Sequence, residues 1–220
     1  MSVFKENLTS RILQKETFKL AKNSKRKLNI LEIGCGNGNI TKFLINNQKK
    51  LEHNYFLSDI SAEAIRSAKK NINYKNIIFK KGYLYDPWED YRFDIIISDV
   101  SSISDVVARN SEWYNGVTYD SGKNGLKNIE QIISLTNNFL SKNGIFIFPI
   151  ISLCDVKKLK QLTKIRFKKI IYTKKNYWPL PRYFLRKKFL HELKKENLIE
   201  FEDKFGIYIA YTQTAICRKT

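Results

Sequence analysis

Along most of the chain, short apolar runs alternate with segments whose apolar residues recur every three or four positions. The runs read as strands covered on both faces, and the spaced pattern reads as helices lying against them. The predicted strands are "LNILEIG" (28–34), "NYFLSDI" (54–60), "NIIFKKG" (76–82), "FDIIISDV" (93–100) and "GIFIFPI" (144–150). Helical patterns fall at 39–47, 61–73 and 124–141. Ser61 stands at the N-cap position of the second, putting Ala64, Ile65 and Ala68 on its inner face. Gly144 follows the third where a C-cap glycine belongs. Such alternation predicts βαβ units and an α/β fold with a mostly parallel sheet.

After residue 150 the pattern predicts a helix at 155–165, a strand at 167–172, an irregular aromatic and basic stretch, and a helix at 184–197. The alternating "FGIYIAYTQTAICR" carries a final antiparallel strand, 206–217. Residues 174–205 then form an insertion between the last two strands. With no internal repeat or long low-complexity linker, the 220 residues read as a single domain led by a basic helical segment, 1–29.

Charge sharpens this picture. The net charge is +19, yet residues 30–156 carry 14 basic and 14 acidic side chains. The excess lies on the flanks: eight basic against two acidic residues in 1–29, and 15 against one in 157–195. Richness in Lys, Asn and Ile together is what an AT-rich genome produces, but that bias does not concentrate charge on two flanks. Such patches suit anionic partners, nucleic acid first, or form a solvated surface. The longest apolar run, "GIFIFPIISL", is too short to cross a bilayer, and the N-terminus lacks the apolar core of a secretory signal. Three scattered cysteines without a C-x-x-C pair predict a reduced, cytoplasmic protein, and two isolated histidines predict no zinc site.

The candidate chemistry starts at "ILEIGCGNGNITKFL" (30–44). A dinucleotide turn reads G-x-G-x-x-G, but here the third glycine comes one place early, at Gly38. Glu32, two residues before Gly34, also sits badly beside a pyrophosphate. The turn follows the first strand, at the rim where open α/β sheets bind ligands. Its alternate glycines let the backbone approach a ligand closely. The second strand ends at Asp59, where a carboxylate can accept both hydroxyls of a ribose, while Glu32 can orient an ammonium group. A ribose and an amino acid without phosphate describe S-adenosylmethionine.

"LEIGCGNGNITKFL" with "YFLSDIS" resembles the cofactor motifs of class I S-adenosylmethionine-dependent methyltransferases. The resemblance implies a seven-stranded, mostly parallel Rossmann-like sheet flanked by helices. It also implies cofactor contacts at Glu32, Gly34, Cys35, Gly36, Gly38, Asp59 and Ile60. Two further stretches, "QKETFKL" (14–20) and "YDSGKNGLKNIEQI" (119–132), resemble segments of the HemK-like release-factor glutamine methyltransferases. The first adds Thr17 to the cofactor set. Where that group carries N-P-P-Y after the fourth strand, this chain has Asp99, Val100, Ser101 and Ser102. At the end of the third strand, where such enzymes often place an acid against the adenine, stand Gly82 and Tyr83, which the resemblance adds with Asp99 to the cofactor set.

Methyl transfer is an in-line displacement, so the protein mainly positions the nucleophile. Asp99 keeps the acceptor of the lost asparagine, adds a charge and can take up the departing proton. The Val100 carbonyl supplies a second acceptor, Ser101 and Ser102 stand nearby, and the stacking tyrosine is gone. This pattern fits N-methylation of a polar small molecule or peptide side chain, with Trp113, Tyr114 and Trp178 as candidate pocket or lid residues. "KKNYWPLPRYFLRKK" interleaves aromatic and basic residues as single-strand nucleic-acid surfaces do, so RNA is the alternative substrate. A non-catalytic cofactor-binding subunit is a third reading. Oligomeric state is not legible.

Overall fold

Five of the apolar runs pair as one parallel array. They are β1 (Asn29–Ile33), β2 (Asn54–Asp59), β3 (Ile77–Lys81), β4 (Phe93–Ser98) and β5 (Leu140–Ile151), in the order β3-β2-β1-β4-β5. The computed structural model describes residues 7–48, 52–114, 119–185 and 187–219. The first six residues of the basic N-terminal segment, part of the loop after Tyr114, and Arg186 in the insertion lie outside the described residues. Strand order reverses between β1 and β4, so the carboxyl ends of these two strands flank the switch point where such sheets open a crevice.

Period-two alternation sends neighbouring strand residues to opposite faces, and each face has its own helical cover. Ile30, Ile95, Ile97 and Ile147 pack against α1 (Leu8–Ala21), α2 (Asn39–Asn47) and α3 (Ala62–Asn71) through Leu13, Ile40, Leu44, Ile65 and Ala68. After the short α4 (Asp105–Arg109), helices α5 (Lys127–Phe139) and α6 (Val156–Arg166) cover the other face, where Leu31, Ile33, Ile96, Phe146 and Phe148 meet Ile129, Ile132, Ile133 and Leu159. Ser61 caps α3 as its position predicts, accepting the Ala64 amide at 3.2 Å. No described helix is long and apolar enough to cross a membrane.

Two expectations change. Gly144 is not a helix cap. Helix α5 ends at Phe139, β5 begins at Leu140, and Gly144 lies within that strand where the register against β4 shifts. A Cβ there would stand 3.0 Å from both the Phe93 carbonyl and the Leu140 Cβ, so the glycine serves a close backbone approach at an irregularity. Among the described residues, the sheet also has nine strands rather than seven. β6 (Lys169–Tyr172) and β9 (Ile207–Arg218) are the antiparallel edge that the pattern predicts. The surplus comes from β7 (Asn176–Pro179) and β8 (Glu202–Lys204), which pair with opposite sides of the protruding half of β9. One face of this extension is closed by α7 (Lys188–Lys195) through Leu190, Leu193, Tyr208 and Ala210.

Candidate active site

A cavity of about 830 Å³ opens at the switch point, within the size range of small-molecule sites. Its floor is the glycine turn after β1. Gly34, Gly36 and Gly38 have φ of 70°, 53° and 75°, and the Gly34 and Cys35 amides donate to the Ser58 carbonyl at 2.9 and 3.1 Å. Asp59, at the end of β2, closes the turn from the other side. One carboxylate oxygen accepts the Gly36 amide at 3.0 Å and the other accepts the Ser61 amide at 2.8 Å. Each oxygen has a further lone pair beyond these bonds, and the side chain lines the cavity.

Glu32 is 1% exposed, yet it lines the cavity. One of its oxygens accepts both the amide and the hydroxyl of Thr41, at 3.1 and 2.5 Å. Burial pushes its carboxyl up to about 8; the Thr41 bonds oppose that rise, and the charge of Asp99 adds to it. Asp99 follows β4 and is held by a 2.6 Å bond from the Ser10 hydroxyl on α1, with burial lifting its carboxyl to about 6. No described residue bonds its second oxygen. Next to it, the Ser101 hydroxyl donates to the Tyr114 hydroxyl at 3.1 Å and lies 3.2 Å from that of Ser121. Tyr114 and Tyr119 pack with ring centroids 4.9 Å apart.

The structure brings most of the predicted site residues together. Glu32, Gly34, Cys35, Gly36, Asp59, Ile60, Gly82, Tyr83, Asp99, Val100, Ser101, Ser102 and Tyr114 all line the cavity. Four others are elsewhere. Thr17 is fully buried within α1, its hydroxyl without a hydrogen-bond partner. Gly38 turns into α2, and a Cβ on it would meet Ile72 of the α3 end at 2.6 Å, so its place is in packing. Trp113 and Trp178 pack edge to face on one another beyond the cavity. The Trp178 indole donates to the Thr212 hydroxyl at 3.1 Å and is turned inwards.

Residues that the sequence reading passed over complete the wall: Asn7, Thr9 and Ser10 from α1, Tyr119, and the Asp120–Lys127 ion pair. The local part of this was legible, since Asn7 caps α1 by accepting the Ser10 amide at 3.0 Å. The contact to Asp99, 89 positions away, left no local signal. Among the described residues, no group of three or more His, Cys, Asp or Glu side chains could hold a metal ion.

A phosphate-free glycine turn, an acid closing it from the second strand and a polar rim after the fourth define a class I methyltransferase. Residues 24–204 match the family model described as a methyltransferase domain, and the chain belongs to that family. Its methyl donor is S-adenosylmethionine. Among solved structures, the chain is similar to the ribosomal protein L11 methylase of Lactobacillus delbrueckii subsp. bulgaricus (17% identity, 99% of this chain and 82% of that one, TM-score 0.58). It is also similar to the T. thermophilus 16S rRNA N2 G1207 methyltransferase, solved with AdoMet and guanosine (15%, 100% and 45%, 0.59). A third similar structure is the plantazolicin methyltransferase BpumL with SAH (17%, 96% and 84%, 0.54). No curated protein sequence matches the chain significantly.

The residues present fit that cofactor. The donor carries two positive charges beside one carboxylate, and the cavity sets Glu32, Asp59 and Asp99 against two lysines, Lys81 and Lys127. A pH test follows. Glu32 and Asp99 both have raised values, so each destabilises the ligand-free fold once ionised. The stability they allow is complete below the ordinary carboxylate range and is lost as pH rises through about 6 and then about 8. The calorimetric melting temperature of the ligand-free protein is expected to fall steadily between about pH 5 and 8.5. Saturating S-adenosylmethionine, whose cationic groups favour the ionised carboxylates, should flatten that fall, and so should Glu32→Gln. An unchanged slope in Glu32→Gln would assign the pH dependence to other groups.

Proposed function

We propose that the protein N-methylates a polar small molecule or a peptide side chain whose nitrogen is held by Asp99. The observation that carries this reading is the Asp99 carboxyl itself, half-buried at the switch point with one oxygen anchored to Ser10 and the other bonded by no described residue. When bound, S-adenosylmethionine supplies a methyl group on a cationic sulfur, and the acceptor nitrogen must present its lone pair in line with it. The free Asp99 oxygen accepts an N–H bond and fixes that direction, with the Val100 carbonyl as second acceptor. As the nitrogen gains the methyl group it loses a proton, which a carboxylate titrating near 6 can take up at neutral pH. Ser101, bonded to Tyr114, and Ser102 form the polar wall beside the acceptor.

For the cofactor, we assign the ammonium group to Glu32, the ribose hydroxyls to Asp59, the backbone contact to Gly34, Cys35 and Gly36, and the adenine end to Ile60, Gly82 and Tyr83. The HemK-like layout supplies the template for this arrangement. The exchange of its amide-binding asparagine for Asp99 favours an amine or guanidine over glutamine. RNA is the second reading, resting on the 15 basic residues in 157–195. Its stacking surface is small, because Trp178 faces inwards, leaving Tyr177 and Tyr183, whose hydroxyl is tied to the Glu112 amide, outward in this segment. The test is transfer of labelled methyl groups to a panel: a lysine peptide, an arginine peptide, a polyamine, a glutamine peptide and bulk RNA. Labelling of an amine or guanidine is the expected result. Labelling of RNA alone, abolished by Asp99→Asn, would replace this reading with the second.

A further inference from the structure

Helix α1 ends at Ala21, before the matched methyltransferase region begins at residue 24. It nevertheless reaches the reacting end of the cavity. Two hydrogen-bonding contacts help to hold it there. The Gln14 amide donates to the Asn39 carbonyl at 3.3 Å, at the start of α2, and the Thr9 hydroxyl lies 3.5 Å from that of Thr212 on β9. At its first turn, the Asn7 side chain accepts the Ser10 amide at 3.0 Å, which orients Ser10.

The Ser10 hydroxyl has one proton and two acceptors within reach: Asp99 at 2.6 Å and the Asn7 side chain at 3.4 Å. The short, charge-assisted contact takes the proton. It is also the hydrogen bond that stabilises the ionised form of Asp99 against burial. The titratable groups coupled to Asp99 are Glu32 and Tyr114, both acids, so neither supplies a counter-charge.

We propose that Ser10 is a positioning residue for Asp99: its hydroxyl fixes one carboxylate oxygen, leaving the other to the acceptor nitrogen, and so makes α1 part of the methyl-transfer site. A free carboxyl after β4 would rotate about its Cβ–Cγ bond, and burial alone would favour its neutral form. One bond from outside the matched region answers both problems. The proposal rests on the reading of Asp99 as the residue that holds the acceptor, but the two fail separately.

The experiment is a carbon-13 NMR titration of the intact protein labelled at the aspartate carboxyl carbons, with the Asp99 signal assigned by its loss in Asp99→Asn. The wild-type midpoint is expected near 6. In Ser10→Ala it should move up by about one pH unit, the size expected for losing one charge-assisted hydrogen bond. Ser10→Thr, which keeps the hydroxyl, should restore it. An Asp99 midpoint that stays put in Ser10→Ala overturns the proposal, even if the variant melts earlier, because a merely structural serine would change melting and not titration. Wild-type methyl transfer by Asp99→Asn would instead remove the reading on which the proposal rests, whatever the titration of Ser10→Ala shows.

Discussion

Asp99→Asn is expected to lower methyl transfer by about 100- to 10,000-fold, the usual contribution of a positioned general base. Cofactor affinity should change little, because Glu32 and the Asp59-clamped glycine turn are untouched. Asparagine keeps the shape and one acceptor oxygen, so a purely orienting role would cost only the lower end of that range. A base role costs the upper end, since the amide cannot take up the proton. The pH profile separates the two. With the Asp99 carboxyl lifted to about 6 by burial, wild-type activity should rise as pH passes through that value, and the limb should vanish in the asparagine variant. Single-turnover rates with the acceptor labelled in the panel, alongside calorimetry with S-adenosylhomocysteine, measure both quantities. Equal activity in the two proteins would make Asp99 a strand-end cap and nothing more.

What the sequence revealed follows from how local each signal is. The parallel centre was legible because strands buried on both faces must be apolar at consecutive positions, as in Ile30, Leu31 and Ile33 or Ile95, Ile96 and Ile97. The glycine turn and Asp59 were legible because backbone that closes on itself needs glycine at fixed spacing. Gly144 misled because a glycine just past a helical pattern has two uses, a cap or a close approach, and only the register of β5 against β4 distinguishes them. Trp113 and Trp178 misled because aromatic residues in a loop serve packing and ligands alike, and here they bury one another. Thr17 entered through the resemblance alone; seven residues after Ser10 it shares nearly the same face of α1 but lies about 10 Å further along the axis, past the cavity that Ser10 reaches. The extra strands β7 and β8 could not be read locally, since three or four polar and aromatic residues become strands only by pairing with the protruding end of β9.

Gly36→Val should abolish binding of S-adenosylhomocysteine while leaving the protein folded. The backbone at Gly36 has φ of 53°, a region that a β-branched residue adopts only with strain, and its amide is the one that Asp59 holds. Strain of about 1–3 kcal/mol corresponds to a loss of roughly 2–12 °C in melting temperature for a chain of this size. That is tolerable for the fold. Binding suffers more, since the valine side chain enters the space where the backbone meets the ligand and the displaced amide releases Asp59. Gly38→Val provides the contrast. Its φ of 75° brings the same strain, but its Cβ would stand 2.6 Å from Ile72 and 3.3 Å from Leu57, inside the core. That variant should fail to fold, so lost binding there would say nothing about the site. Asp59→Ala should lie between, folded and binding S-adenosylhomocysteine weakly. Calorimetry with S-adenosylhomocysteine and with NAD, paired with thermal melting, distinguishes the three. A folded Gly36→Val protein with unchanged affinity would mean that the ligand does not pass over this turn, and tight NAD binding by the wild type would contradict a turn built to exclude phosphate.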